Sequence, residues 1–299
     1  MSGKIADTVD EWIRTHALNL KASTRKVIED WWNQPPHWGP IHDFLSQVGT
    51  LLTKYPELEV GVDRLFRFVE RTRSPGSFIA FLERDLDSLP VLMRILSLQS
   101  PSVEWLVEDP DSFDWLRLTA GQSVPAEHMS DVIVAELGGL EDETHLLATM
   151  RTFRRRETLR VLCAFCLHGM PWFEVSHQLT WIAQASLAAA IQVASRISAS
   201  RKITPHDLEK RIAVVGLGSY GGCELDFCQP LELLFFRESG SLMASAVDQE
   251  KLQEECDRFA TRVVKGLSHP SGFAYEVKQP FSSEGDFRVD TRMVLEGRR

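Results

Sequence analysis

IAVVGLGSYGGCELDFCQPLELLFF, residues 212–236, is the stretch whose reading decides the fold. Its two runs IAVV and LELLFF are short, β-rich and bounded by glycine or proline, as buried strands are. Between them Gly216, Gly218, Gly221 and Gly222 supply backbone that can turn tightly. A later run, FRVDTRMVLEGR at 287–298, reads as a further strand over 287–294 and carries one acid, Asp290.

Upstream the period is different. Residues 1–200 read as helix after helix, with apolar positions three and four apart. Helices are expected over 6–20, from Ser23 to the Pro35-Pro36 breaker, and over 42–55, 61–73 and 77–98. Short ones follow at 102–107 and 111–118, then two long ones at 142–169 and 173–197, the second rich in alanine. Thr204 and Pro205 suit the cap and first position of another short helix. After the strands begin, 249–267 returns to helix. The fold class expected is therefore α+β, a large all-helical region (1–200) followed by a partial mixed sheet (201–299).

Composition narrows the function. In 299 residues, 43% hydrophobic and 25% charged, the chain has the balance of an ordinary globular protein. Its net charge of -9 argues against broad nucleic-acid binding, which relies on Lys and Arg against phosphates. No apolar leader or run of about 18 apolar residues is present, so no membrane insertion is expected and a cytoplasmic location fits. Five scattered cysteines suit a reducing compartment, and the Cys163/Cys166 pair reads as helix core rather than a zinc site. The nine histidines show no ligand spacing, and the tryptophans, all before residue 182, read as core and partner surface. Arg151, Arg154, Arg155, Arg156 and Arg160 form a basic run with two readings, a solvated helix face or a wall of a phosphate pocket.

Gly216, Gly218 and Gly221 spell GxGxxG after a strand. A dinucleotide fingerprint requires a helix to open near the last glycine, whereas here a proline and a second strand follow. Two readings remain: a plain tight turn, or a phosphate-cradling turn of a nucleotidyltransferase. In the latter, acids at i and i+2 on the next strand share a face and, with a third acid from a neighbouring strand, hold Mg²⁺ against a triphosphate.

GLGSYGGCELDF (216–227) resembles the Gly-x-Gly-Lys-Leu-Gly-Gly-Arg-Glu-Leu-Asn-Tyr block of the glutamine synthetase adenylyltransferase/deadenylylase family. FRVDTRMVLEGR is similar to that family's Arg-Val-Asp-Leu-Arg-Leu-Arg-Pro-x-Gly-Arg. Upstream, LMRILSLQSPSVEWLVEDPDSFDWL (92–116) and residues 147–186, including MRTFRRRETLRVL, resemble its helical segments, so the resemblance spans roughly residues 60–299. It implies a nucleotidyltransferase sheet, with ATP and Mg²⁺ as ligands. It also implies AMP transfer to, or phosphorolytic removal from, a tyrosine of glutamine synthetase, with the PII signal protein as a further partner.

Position by position, the resemblance places the family's two strand acids at Pro230 and Glu232, and its loop Lys and Arg at Ser219 and Cys223. Asp290, the third acid, and Arg292 are kept. It thus implies Glu232 and Asp290 as catalytic and metal-binding residues, and Gly216, Gly218, Gly221, Gly222 and Arg292 as nucleotide-binding ones. Proline has no ligand atom, and glutamate sets its oxygens about one bond further out than aspartate. Activity is therefore expected to be weak or absent. Glu224 and Asp226, also two apart, are a substitute acid pair. The alternative is a non-catalytic regulatory or scaffolding protein on a pseudo-nucleotidyltransferase domain. The family continues beyond the position of Arg299, so the chain reads as a fragment or a shortened copy.

Overall fold

The computed structural model describes residues 8–34, 41–100, 102–119, 122–198, 212–227, 231–237, 246–268 and 289–291. Contacts divide the chain into two compact units, Met1–Ala120 and Gly121–Arg299. The change of hydrophobic period near residue 200 falls inside the second.

The described part of the first unit is helical. α1 (Val9–Thr15) is capped by Thr8, whose hydroxyl accepts the Glu11 N–H. It ends sooner than the sequence suggests because Ala17 turns into the left-handed region, with φ 51°. α2 (Ala22–Trp32) and α3 (Ile41–Lys54) follow, then a 3₁₀ turn over Pro56–Gly61 and α4 (Val62–Arg71). Trp12, Trp31, Phe44 and Phe68 are fully buried, each side chain contributing roughly 1.5–3 kcal/mol. The Trp12 indole also donates to the Leu45 carbonyl at 3.1 Å, so its polar atom is not stranded.

The single helix expected over 77–98 is two, α5 (Pro75–Arg84) and α6 (Ser88–Leu96). Between them Asp85 behaves as a turn residue. Its carboxylate accepts from the Ser88 hydroxyl at 2.8 Å and from Arg117 at 2.6 Å. Such local bonds compete with helix continuation. α7 (Val103–Glu108) and α8 (Ser112–Thr119) complete the unit. Arg64 donates to the Leu96 and Leu98 carbonyls and to Glu104, closing the C-terminal end of α6.

In the second unit, α9 (Ala126–Leu137) is a helix the sequence reading omitted. α10 (Glu143–His168) opens at Asp142, which accepts the His145 N–H, and stops at Gly169 in the left-handed region, with φ 71°. α11 (Trp172–Ser198) is the hub, packing on α9 and α10. Its alanines explain this: Ala183, Ala185, Ala189, Ala190 and Ala194 are all buried and let neighbours approach closely. The expected short helix at Thr204 lies outside the described residues.

β1 (Ile212–Leu217) leads through a one-turn helix, α12 (Gly218–Gly221), to β2 (Leu231–Arg237). α13 (Ala246–Ser268) packs on α11 at Gly266, where an added methyl would lie 3.3 Å from the Ala190 Cβ. β3 (Val289–Thr291) completes a sheet ordered β1-β2-β3, with β1 and β2 antiparallel and β2 and β3 parallel. The fold is thus α+β, mostly helical with a small mixed sheet. Leu231, Leu233 and Phe235 point into the core shared with Phe259 and Val263. The alternate positions do not: Val215 and Phe236 are exposed. The strands expected to be buried on both sides have one covered face and one open face, a distinction that all-apolar strand composition does not encode. Among the described residues, no helix is long and apolar enough to cross a membrane.

Candidate functional site

The strand register sets three positions in a row across the sheet. Leu217 of β1 pairs with Glu232 of β2, and Glu232 pairs with Asp290 of β3. Directly paired positions share a face. Row and alternation together put position 232 on the open face, with Val215 and Phe236 rather than with the core residues.

The glycine turn begins at the end of the same row. Gly218, which follows Leu217, has φ +55°, in the left-handed region where side chains are strained. The Glu232 carboxylate lies directly against it: a methyl placed on Gly218 would sit 2.9 Å from Oε2, 3.1 Å from Cδ and 3.4 Å from Oε1. The turn folds back on itself as tightly. A methyl on Gly216 would meet the Tyr220 ring at 2.5 Å, and one on Gly221 would meet the Gly216 carbonyl oxygen at 2.6 Å. Gly222 has ordinary clearance, its nearest contact being the Gly218 oxygen at 3.5 Å. Backbone bonds then close the turn, Gly222 N–H to Gly218 O at 3.0 Å and Glu224 N–H to Ser219 O at 2.7 Å. Tyr220 pins it to the core; burial, with Cys223 nearby, pushes its phenol up to about 12, so it is neutral.

Pro230 and Arg292 lie outside the described residues. The two-residue strand alternation behind the alternative Glu224/Asp226 pair does not apply, because residues 224–226 are coil. Glu224 is exposed beside Gly222. Among the described residues, no group of three or more His, Cys, Asp or Glu side chains is placed to hold a metal ion. The donor chemistry of the row suits a single ion. Two carboxylate-bearing positions stand side by side on strands about 4.8 Å apart. Mg²⁺ commonly takes one or two carboxylates and fills its other positions with water and substrate phosphates.

The CxxC on α10 is no thiolate site: Cys163 is buried, which pushes its thiol up to about 12, and Cys166 is exposed. Nor is the basic run a solvated face. Arg160 is fully buried and donates to Glu157 at 2.9 Å, to Gln178 at 2.7 Å and to the Gln122 carbonyl. Gln178 in turn donates to Ser123 and to the Val124 carbonyl and accepts the Val124 N–H. Arg154, also buried, donates to the Leu267 carbonyl near the end of α13 at 2.6 Å, while Arg156 pairs with Glu136 of α9 at 2.8 Å. Burial and the adjacent Arg155 and Arg151 charges pull the Arg154 guanidinium down to about 9, which still leaves it charged at neutral pH. These arginines work as struts between chain segments. The sequence clue was their position: Arg154 and Arg160 alternate with Phe153, Leu159 and Val161 on a helix apolar on several sides.

The model of one protein family, described as glutamate-ammonia ligase adenylyltransferase, matches residues 90–286. The match takes in the helices from near the start of α6 onward, the glycine turn and β2, and stops just short of Asp290. Covering about two thirds of the sequence, it identifies this chain as a member of the glutamate–ammonia ligase adenylyltransferase family.

Proposed function

We propose that this chain acts in the adenylylation control of glutamate–ammonia ligase (glutamine synthetase), binding MgATP but transferring AMP weakly or not at all. The observation that carries the reading is the register of Glu232 with Asp290 at the foot of the glycine turn. In this reading Glu232 and Asp290 hold one Mg²⁺. Gly216, Gly218, Gly221 and Gly222 keep the turn low enough for phosphates to approach the backbone, and Arg292 lies near the nucleotide. The open strip of Val215 and Phe236 offers the nucleoside an apolar surface. The bound ion supplies charge neutralisation and orients the phosphates for in-line attack.

Pro230 has no side-chain oxygen for a second ion. Disturbing even an outer-shell metal partner typically costs ~10–100-fold, and losing a first-shell acid should cost at least that. The free thiols fit a cytoplasmic setting, with the PII signal protein as a further partner. The test is restoration: Pro230→Asp/Glu232→Asp is assayed for AMP transfer to purified glutamate–ammonia ligase beside the unaltered chain. Transfer should rise about tenfold or more. A restored pair that binds MgATP yet transfers nothing would count against an AMP-transfer ancestry of this site.

A scaffolding role is the second reading. The observation favouring it is the cluster of exposed aromatics where α10 meets α11, with Trp172 49% and Phe173 65% exposed beside Phe165. Trp172→Ser/Phe173→Ser should then abolish capture of glutamate–ammonia ligase without touching nucleotide binding. Unchanged capture would remove the support.

A further inference from the structure

We propose that Glu232 is a specificity-determining residue that admits nucleotide only as its magnesium complex, because its own carboxylate keeps the free nucleotide anion off the glycine turn. This rests on the nucleotide-binding reading above and adds what the glutamate itself selects.

Three observations carry it. The Glu232 carboxylate does not stand clear of the turn; both oxygens and Cδ lie within 3.4 Å of the point where a methyl on Gly218 would sit. Phosphate oxygens approaching that backbone need the same space. Next, no hydrogen bond or ion pair engages this carboxylate among the described residues. Among the described residues nothing holds it against the turn, which leaves it able to swing toward a cation. Last, position 290 in the neighbouring strand carries a second acid in register with it, so the region is rich in negative charge.

The side chain's length is what creates the contact. An aspartate at 232 would end roughly 1.5 Å sooner, about one carbon–carbon bond, and would leave Gly218 uncovered. With glutamate, a metal-free triphosphate meets a like charge at close range on the surface. The cost at such a range is about tenfold or more in affinity. A magnesium ion reverses the sign of the interaction: the carboxylate turns from obstacle to ligand, and the turn is vacated as the ion is engaged.

The experiment is calorimetric titration of the whole chain with ATP, once in Mg²⁺ and once in EDTA, for the unaltered protein, Glu232→Gln and Glu232→Asp. Thermal unfolding of each variant checks that it is folded. The unaltered chain should bind in Mg²⁺ and show no saturation in EDTA. Glu232→Gln, isosteric but uncharged, should gain metal-free binding by about tenfold or more and lose most of its dependence on magnesium. Glu232→Asp should fall between, since its charge remains but no longer covers the turn. If the unaltered chain binds ATP equally in both buffers, or Glu232→Gln gains nothing in EDTA, the proposal is overturned. Absence of MgATP binding by the unaltered chain would instead sink the proposed function. In that event the EDTA arm still compares Glu with Gln at 232, and a gain confined to Glu232→Gln would keep the exclusion of free nucleotide.

Discussion

Two charged regions of the second unit make opposite use of charge. All three nitrogens of the Arg160 guanidinium meet an oxygen, and Glu157, Gln178 and the Gln122 carbonyl are engaged in return. At the sheet, Glu232 lies partly open against bare backbone and engages no donor among the described residues. A basic run that reads as a solvated face or a phosphate wall ties chain segments together through Arg154, Arg156 and Arg160, whereas the one glutamate of an apolar strand is left without a partner among the described residues. The difference is not in how much charge a region holds. It is in whether the fold has already spent that charge on itself.

Removing a strut should produce the largest effect. Arg160→Ala leaves the buried Glu157 carboxylate without its nearest cation and the Gln122 carbonyl without its donor, and should cost about 3–5 kcal/mol in urea unfolding. Arg160→Met/Glu157→Leu, which removes both charges, should recover much of that loss. If the single variant costs under about 1 kcal/mol, the network is not the frame described here.

The glycine turn comes next. Gly221→Ala drives a methyl against the Gly216 carbonyl oxygen, a backbone atom with nowhere to go, and should cost about 1–3 kcal/mol. Gly222→Ala, with its nearest contact at 3.5 Å, should cost well under half of that. Equal losses would show that the turn is not locked as its contacts imply.

Alkaline pH sharpens the comparison further, through groups kept neutral by burial. Cys163 and Tyr220 ionise near 9.0 and 10.0 when free and are both pushed up to about 12 in the fold. Above pH 9 the unfolded chain therefore binds fewer protons than the folded one, and stability should fall progressively between about pH 9 and pH 12. Tyr220→Phe should flatten the upper part of that fall in pH-dependent urea unfolding; an unchanged slope would mean the phenol is not shielded.

The smallest effect should be on stability at the site. Glu232→Gln should shift the urea midpoint by no more than the equivalent of about 0.5 kcal/mol, because the carboxylate engages no partner among the described residues. A large loss would make Glu232 a structural residue and erase the contrast with Arg160.

Much of this was legible in the residues. The glycine and proline boundaries of IAVV and LELLFF gave both β1 and β2, and the run over 287–294 gave the strand that carries Asp290, of which Val289–Thr291 is described. What stayed hidden was tertiary. Met129, Ile133 and Leu137 at four-residue spacing would have revealed α9, but the polar residues among them and Gly138-Gly139 beyond masked a helix whose stability comes from packing on α11. The break at Asp85 depends on Arg117, a residue 32 positions away. No local pattern announces a partner that distant. The fate of the arginine run was likewise invisible, since burial of a charge is decided by which oxygens the fold brings to it.

The central claim is that Glu232 and Asp290 form one magnesium–nucleotide site at the glycine turn, and calorimetry with MgATP on the unaltered chain and on Asp290→Ala tests it most directly. Saturable binding that vanishes in Asp290→Ala, with the urea midpoint unmoved, is the expected result. Binding that survives the substitution, or none in either protein, would contradict the account.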